Sequence, residues 1–240
     1  PYTGGQQVAP GVHIPDPDLW RQLRASFQLD RHTDQKRVQQ ELRWLKRHPQ
    51  YMHNMRQRLG RHMAYIHQQV QARNLPGELA LLPIVESALD PYAFSHGGAA
   101  GLWQFIPATG KRFGLDRNWW YDGRRDPVAS TDAALDYLEH LYKRFDDWYL
   151  ALAGYNAGEG NVSRAKRRGA PGAGFFELQL PRETSAYVPR LLALAQMVAE
   201  PSSLGITLPV LTPEVPFIIV DTGSQMDLSV ISQVTNIDMD

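Results

Sequence analysis

The sequence predicts a mainly α-helical fold, and three observations support this. Apolar residues recur every three or four positions along most of the chain between residues 18 and 200, which is the spacing of one helix face. Proline stands where a helix should begin, as in Asp126-Pro127. Apolar residues make up 43% of the 240 residues, enough to form one sizeable core without disulfides.

The N-terminal part of the chain is predicted to be an arm followed by a helical region. Residues 1–17 are rich in Gly, Pro and Gln, which is typical of a linker or wrapping arm. Residues 18–74 should form helices that pack on the rest of the protein. These helices are expected from Asp18 to Phe27, from a cap at Asp34 to about Pro49, and from Met52 to about Arg73.

Residues 75–204 are predicted to form the main helical domain. Its first helix should begin at Pro76, kink at Pro83 and end before Pro91. Glu86 lies on the apolar face of this helix, between Val85 and Ala88 in the sequence "LPIVESALDP". A buried ionised carboxylate costs several kcal/mol unless it is paired, so Glu86 is either a structural residue with a partner or an acid of raised pKa.

The rest of this domain should contain Gly-rich loops and three more helices. Loops rich in Gly and aromatic residues occupy residues 93–125. The first of these helices should start at Asp126-Pro127. The second should cover "WYLALAGYNAG" and end near Gly158, and the third should cover "RETSAYVPRLLALAQMVAE". The second of these is almost wholly apolar, which is typical of a buried central helix.

The pattern changes after the last of these helices, and a boundary is predicted near residues 204–212. Pro-rich sequence gives way to the β-branched run "FIIVD", which predicts a strand, and a helix should begin near Asp227 and reach Val234. Residues 209–240 are therefore expected to be a short α+β segment or linker.

Three polar clusters interrupt the apolar pattern and are candidates for a ligand site. They are "ES" at Glu86, "SHGGAAGLWQF" from Ser95 and "AGYNAGEGN" from Ala153. Gln104, Tyr155 and Asn156 offer neutral hydrogen-bonding groups, and Trp103 and Tyr155 offer flat faces. Neutral hydrogen bonders beside aromatic rings suit a sugar polymer, although each residue can also be explained by packing or capping alone.

Several other classes of function find no support. The formal net charge is zero, whereas a nucleic-acid binder would normally show a basic excess, and only "AKRRG" favours that function. The eight His residues do not form an HExxH pattern, so we expect no metal and no cofactor. Because Cys is absent, a thiolate metal site or a Cys nucleophile is excluded within this chain.

Longer motifs resemble those of a known family. "ELALLPIVESALDPYAFSHGGAAGLWQFIPATG", "WWYDGRRDPVASTDAALDYL" and "LPRETSAYVPRLLALA" are similar to the lysozyme-like lytic transglycosylases of bacterial cell walls. The resemblance covers roughly residues 18–200. It implies a lysozyme-like helical catalytic domain with an N-terminal helical wrap. It also implies cleavage of the β-1,4 bond between N-acetylmuramic acid and N-acetylglucosamine, with formation of 1,6-anhydromuramic acid.

The resemblance also implies a set of site residues. Glu86 takes the family's catalytic acid/base position. The residues expected to contact or frame the glycan are Ser87, Ser95, Trp103, Gln104, Phe105, Tyr155, Asn156, Glu183 and Tyr187. Many relatives have Met in place of Trp103, which predicts a bulkier, more aromatic groove wall here. Glu183 is expected to help place Tyr and backbone groups near the site.

Partners and location follow from the same resemblance. The expected partner is the peptidoglycan glycan strand, and the expected state is a monomer in the periplasm. The family carries a lipid-modified Cys that anchors it in the outer membrane, and this chain has no Cys, so such an anchor would lie upstream. The segment from residue 209 to residue 240 resembles the opening of a LysM-like glycan-binding repeat.

The chemistry expected of a single carboxylate leaves two alternatives open. Hydrolytic glycosidases usually need two carboxylates, and the motifs supply only Glu86. Asp90 is expected to cap a helix, and Glu159 is expected in an exposed, Gly-rich turn. A hydrolytic muramidase would use one of these as its second acid. A non-catalytic peptidoglycan-binding protein would keep the groove without turnover.

Overall fold

The described part of the chain is mostly helical. The structure, a computed structural model, describes residues 18–219 and 227–235. Within these ranges there is no extended strand, only isolated bridges such as Ala100 with Phe105. The α-helices are α1 Leu19–Ala25, α2 Lys36–Arg47, α3 Tyr51–Asn54, α4 Arg56–Ala72, α5 Leu82–Ser87, α6 Pro107–Arg112, α7 Pro127–Phe145, α8 Trp148–Ala157, α9 Glu159–Arg168, α10 Arg182–Ala199 and α11 Leu228–Thr235. Two short 3₁₀ helices cover Gly77–Leu81 and Pro201–Leu204.

The centre of the fold is α8, as its apolar sequence predicts. Residues 150–154 are buried along the whole middle of this helix, and it packs against α7, α9 and α10. Burial on all sides explains why α8 has no polar face. The domain is therefore built around one helix, and the C-terminal end of that helix reaches the surface at Gly158.

Aspartate side chains cap the N-termini of three helices. The Asp126 carboxylate accepts from the amides of Val128 and Ala129 at 2.8 and 3.0 Å and begins α7. Asp147 accepts from the Leu150 amide at 2.9 Å and begins α8. Asp18 accepts from the amide two residues on and begins α1. Each cap satisfies an amide that has no partner within the helix, which is worth about 1 kcal/mol.

Two predictions in the N-terminal region are wrong in detail. Asp34 does not cap α2, because the helix begins one residue later with Gln35 at the N-cap and no side-chain cap. The long helix expected to reach Arg73 is interrupted at Met55, whose φ of −110° and ψ of 15° are not helical. The break separates the one-turn helix α3 from α4, and the Tyr51 hydroxyl of α3 lies 3.5 Å from the Ile84 carbonyl oxygen in α5.

The helix that carries Glu86 is also shorter than predicted. A 3₁₀ turn, Gly77–Leu81, precedes it, and Pro83 lies in the first turn of α5 instead of kinking it. A proline is tolerated there because its missing N–H would have no partner. Ala88, with φ of 52°, ends the helix one residue after Ser87. Glu86 therefore lies in the last turn of α5.

Two helices occur where loops are predicted, and the C-terminal strand is not seen in the described part. Helix α6 lies within the predicted loops, and α9 begins at Glu159. Residues 217–219 of the run "FIIVD" are not in a strand, and residues 220 and 221 lie outside the described residues. Helix α11 agrees with the helix expected from Asp227. None of the described helices is both long and apolar enough to cross a bilayer.

A buried arginine holds the loop between α5 and α7 in place. Arg124 is only 3% exposed, and its guanidinium donates to the carbonyls of Gly98 and Phe105 at 2.8 and 3.1 Å. Asp122 neutralises it with a 2.7 Å ion pair. The hydrogen bonds of this one side chain therefore link the two ends of the loop that carries Gln104.

Gly101 is required by the same arrangement. Its φ is +82°, and a Cβ at this position would lie 1.7 Å from the Arg124 carbonyl oxygen. Only glycine combines this backbone conformation with such a close approach.

We expect Gly101→Ala to lower the free energy of unfolding by at least about 2 kcal/mol, because the Arg124 backbone must move and the left-handed conformation is strained. Urea denaturation measures this loss. Gly60→Ala is the matched control, since Gly60 lies in α4 with open space around it and should gain roughly 0.5–1 kcal/mol from helix propensity. Equal changes in both variants would contradict this account of the loop.

Candidate active site

An open cleft with a volume of about 490 Å³ lies where four parts of the chain meet. They are the end of α5, the loop from Ser95 to Ile106, the C-terminal end of α8 and the start of α10, and one residue each from α6 and α7 adds to the lining. Eight of the ten predicted site residues line it: Glu86, Ser95, Gln104, Phe105, Tyr155, Asn156, Glu183 and Tyr187. Residues that are up to 101 positions apart in the sequence are thus in one place.

Glu86 is partly buried in the wall of this cleft. Burial raises the pKa of its carboxyl from 4.5 to about 7, because the charged form is poorly solvated there. A hydrogen bond from the Tyr187 hydroxyl to Oε1 lowers the pKa, and the nearby Glu183 charge raises it. The result is a carboxyl that is protonated in a large fraction of molecules at neutral pH.

Two tyrosines complete the surroundings of this carboxyl. Tyr187 donates to Glu86, and Tyr155 donates to the Trp103 carbonyl at 2.9 Å. Burial raises the pKa of both hydroxyls well above the usual value, and the Glu86 charge adds to the effect. Both tyrosines therefore remain neutral hydrogen-bond donors near neutral pH.

Asn156 and Glu183 form a second polar network in the cleft. The Asn156 amide donates to Glu183 Oε1 at 3.4 Å and accepts from the Thr184 hydroxyl at 2.8 Å. Thr184 is buried, at 1% exposure. The network links the end of α8 to the first turn of α10, so Asn156 has a fixed orientation at the cleft.

The loop side of the cleft is formed by Ser95 and Gln104. The Ser95 hydroxyl accepts from the Ala99 amide at 3.0 Å. The Gln104 side-chain amide donates to the Gly101 and Ala93 carbonyls at 2.9 and 3.4 Å. These bonds use the nitrogen of Gln104, which leaves its carbonyl oxygen as an acceptor for a ligand.

Two predicted contact residues, Ser87 and Trp103, do not line the cleft. Trp103 is fully buried, and its indole N–H donates to the Thr131 hydroxyl at 3.0 Å, so the predicted aromatic groove wall is wrong at this position. Ser87 donates to the Leu102 carbonyl at 2.9 Å. Both residues instead join α5 and α7 to the loop that precedes Gln104. Phe105 lines the cleft but is only 2% exposed.

The sequence analysis did not predict nine of the residues that line the cleft: Val85, Ala99, Ile106, Thr109, Tyr137, Ala157, Gly158, Ala186 and Arg190. The sequence could have indicated Arg190 as a site residue, because it follows Tyr187 by three positions on a predicted helix and so lies on the same helix face. Tyr137 carried no signal beyond its place near the apolar stripe of α7. Its hydroxyl donates to the Gly154 carbonyl at 3.3 Å.

The two candidate second acids lie outside the cleft lining. Asp90 accepts from the Tyr92 amide at 2.9 Å and lies 3.7 Å from the Arg58 guanidinium. Glu159 begins α9 and is paired with His140 and Arg112 at 2.8 and 3.3 Å. Burial raises the pKa of Glu159, but these partners outweigh it, so that the pKa lies below its ordinary value.

Glu183 is the only carboxylate besides Glu86 that lines the cleft in the described part of the chain. Across those same residues, no cluster of three or more His, Asp or Glu side chains has the arrangement of a metal site.

Comparison with known proteins identifies one domain in the chain and several relatives. Residues 63–172 match the Transglycosylase SLT domain. The chain is 44% identical over 200 residues to membrane-bound lytic murein transglycosylase D of Escherichia coli strains K12 and CFT073, a match that covers 81% of this chain and 44% of the relative. The chain thus spans less than half the length of these relatives.

A solved structure of an inactive mutant of lytic transglycosylase Slt from Pseudomonas aeruginosa also matches. It is 22% identical with a TM-score of 0.44, and the match covers 58% of this chain and 24% of that one. The relationship to known proteins depends on the sequence matches. Through its SLT domain at residues 63–172, the chain is related to the lytic transglycosylases.

Proposed function

We propose that this protein is a peptidoglycan lytic transglycosylase that uses Glu86 as its single acid and base. It would cleave the β-1,4 bond between N-acetylmuramic acid and N-acetylglucosamine and form 1,6-anhydromuramic acid. The observation that carries the proposal is the Glu86 carboxyl, which lines an open cleft with a pKa raised to about 7. The names of the full-length relatives, which are murein transglycosylases, support it.

The first step is proton donation to the leaving sugar. With a pKa of about 7, roughly half of the Glu86 carboxyls carry a proton at neutral pH. Glu86 donates this proton to the glycosidic oxygen as the bond to the anomeric carbon breaks. General acid catalysis of this kind contributes about 10²–10⁴ in rate. The substrate's own N-acetyl group attacks the anomeric carbon and stabilises the positive charge that develops.

The second step returns the proton to Glu86. Its carboxylate removes the proton from the 6-hydroxyl of the same muramic acid, and this oxygen bonds to the anomeric carbon and displaces the N-acetyl group. The carbon–oxygen bond to the leaving sugar is replaced by one within the ring system, and no water is consumed. One carboxylate is sufficient because the substrate supplies both nucleophiles.

Tyr187 and Glu183 act through Glu86 as positioning residues. The Tyr187 hydroxyl holds Oε1 in a fixed orientation and stabilises the carboxylate formed after proton donation. Glu183 opposes that ionisation through its negative charge. The two influences on the pKa of Glu86 have opposite signs, so they keep the acid and base forms close in free energy, as a group with both roles requires.

Neutral groups around the carboxyl would bind the sugars. The free oxygen of Gln104 can accept from a sugar hydroxyl or acetamido N–H, and Ser95 and Asn156 line the same cleft. Tyr155 contributes an aromatic wall, packed edge-on against Phe105 with ring centroids 6.2 Å apart. A phosphate polymer would instead require a row of cations.

A hydrolytic muramidase is the nearest alternative. It needs a second carboxylate in the cleft to activate water, and Asp90 and Glu159 are held in ion pairs outside it. Glu183 is the remaining candidate for that role, but it already accepts a hydrogen bond from Asn156. The non-catalytic alternative does not explain why a carboxyl with a raised pKa lies in the cleft.

We extend the proposal to partners and location. The partner is the glycan strand of peptidoglycan, and the protein acts as a monomer in the periplasm at the cell envelope. The relatives' description as membrane-bound supports an envelope location. An outer-membrane anchor on a lipid-modified Cys would lie upstream of this chain, which has no Cys. The segment from residue 209 onward is proposed to open a LysM-like repeat.

We expect Glu86→Gln to lower turnover of isolated sacculi by at least about 10²–10⁴-fold, because an amide cannot donate the proton. Mass spectrometry of the wild-type products should show muropeptides lighter by one water than the products of a hydrolase. Muropeptides with the added water, or substantial turnover by the variant, would contradict the proposed function.

Glu86→Gln should lower activity, but at pH 8 it should raise the free energy of unfolding relative to that of the wild type. In the folded protein the pKa of Glu86 is about 7, above the value of 4.5 for an exposed group. The free energy of unfolding therefore falls as the pH rises from about 4.5 to about 7, and the glutamine variant lacks this fall. Urea denaturation at pH 5 and pH 8 should show the variant gaining relative to wild type at pH 8. A relative loss at pH 8 would mean that the folded state stabilises the Glu86 charge.

The pH dependence of kcat/KM should move in opposite directions in two further variants. Glu183→Gln removes a negative charge that raises the pKa of Glu86, so the decline of activity at high pH should begin at lower pH. Tyr187→Phe removes a hydrogen bond that lowers this pKa, so the decline should begin at higher pH. Rate profiles from pH 5 to pH 9 measure both shifts.

Glu159→Gln serves as the control for these profiles, because Glu159 lies outside the cleft lining. Its profile should match that of the wild type. A shift of the same sign in Glu183→Gln and Tyr187→Phe would contradict the electrostatic roles assigned to the two residues.

A further inference from the structure

A second cavity adjoins the catalytic cleft. Its volume is about 480 Å³, close to the size of the cleft itself. Val85 and Arg190 line both cavities, so the two are neighbours along one surface. The other residues that matter here lie on α2 and α3, where Gln40, Glu41, Trp44 and Tyr51 form the far wall.

Trp44 presents a fixed aromatic face to this second cavity. The residue is 38% exposed, although large apolar side chains are usually covered. Its ring stacks on His48 with centroids 4.3 Å apart and meets the edge of Tyr51 at 5.2 Å. The His48 ring nitrogen Nδ1 also lies 2.8 Å from the Trp44 carbonyl oxygen. A ring held in this way loses little conformational entropy when a ligand stacks on it.

The polar groups of the second cavity are mostly paired. Arg190 lies 3.4 Å from the Glu41 carboxylate at the boundary with the cleft. Arg47 donates to the Arg43 carbonyl at 3.3 Å. Gln40 adds a neutral amide. An aromatic face with an amide and an ion pair suits a hydroxyl-rich ring. A strongly anionic group would call for several cations without carboxylate partners, and among the cations that line this cavity Arg190 is paired with Glu41, which leaves Arg47.

We infer that the second cavity is an extended sugar subsite, in which a ring of the glycan strand stacks on Trp44 beyond the rings held at Glu86. This inference rests on the proposed function, because it assumes that a glycan occupies the cleft. The continuity of the two cavities at Val85 and Arg190 gives the strand a path. The subsite lies on residues 40–51, which precede the matched SLT domain at residues 63–172.

The subsite gives the N-terminal helices a function beyond packing. Helix α2 packs against α10, the helix that carries Glu183, Tyr187 and Arg190. The packing of α2 on α10 therefore also brings Trp44 to the second cavity, next to the catalytic cleft. Long strands would gain a contact that short oligosaccharides cannot reach.

Binding of chitooligosaccharides tests the inference with Glu86→Gln as the background, so that no cleavage occurs. Isothermal titration with the trimer and the hexamer of N-acetylglucosamine gives the affinity gained per added ring. We expect Trp44→Ala to weaken hexamer binding about tenfold and to leave trimer binding unchanged. Trp44→Phe, which keeps an aromatic face, should restore most of the loss.

Trp119→Ala is the matched control, because Trp119 is 85% exposed and lines neither cavity. Its affinities should equal those of the background protein. Equal weakening of trimer and hexamer by Trp44→Ala, no weakening of either, or the same hexamer loss in Trp119→Ala would overturn the subsite. Thermal unfolding shows whether Trp44→Ala is folded. If it is not, the folded Trp44→Phe variant is the test, and weak hexamer binding by that variant would overturn the subsite.

The test is separate from that of the proposed function. If Glu86→Gln retained turnover, the single-acid mechanism would fail whatever Trp44 does. If Glu86→Gln lost turnover and hexamer binding did not depend on Trp44, the subsite alone would fail.

Discussion

The burial of one carboxyl group between α5 and α10 is the constraint on which the rest of the site depends. Glu86 has to lose enough solvent to keep its proton near neutral pH, yet it must still face an open cleft. Among the described residues, the hydrogen bond found for its carboxyl comes from the Tyr187 hydroxyl. No ion pair with Lys, Arg or His is found for it there. A paired cation would have lowered the pKa and removed the acid.

A second buried glutamate shows how different a structural carboxylate is. Glu78 is fully buried eight residues earlier, and its carboxylate accepts from the backbone amides of Gln28 and Leu29 at 2.9–3.1 Å. Burial raises its pKa, but these amides oppose the rise and tie the N-terminal region to the 3₁₀ turn before α5. Glu78 faces backbone donors, whereas Glu86 faces a cleft and a single hydroxyl.

Helix α10 links the site to the N-terminal region. Glu183, Tyr187 and Arg190 follow one another at steps of four and three, so they share one face of the helix. Glu183 and Tyr187 change the pKa of Glu86, and Arg190 forms an ion pair with Glu41 on α2 at the edge of the cleft. A single helix face thus adjusts the pKa of Glu86, which burial raises, and also borders the second cavity.

The sequence alone predicts the helical class, the starts of α7 and α8, and ten site residues, of which eight line the cleft. These are local properties: helical periodicity, capping carboxylates and motifs whose residues are close together in the chain. It could not show that α5 stops at Ser87, that Met55 breaks a helix, or that Trp103 points into the core. Those outcomes depend on contacts between distant residues, such as the Trp103 bond to Thr131 and the Arg124 bonds to the loop. The pKa of Glu86 likewise depends on which side chains from α10 surround it, and only the tertiary structure brings them there.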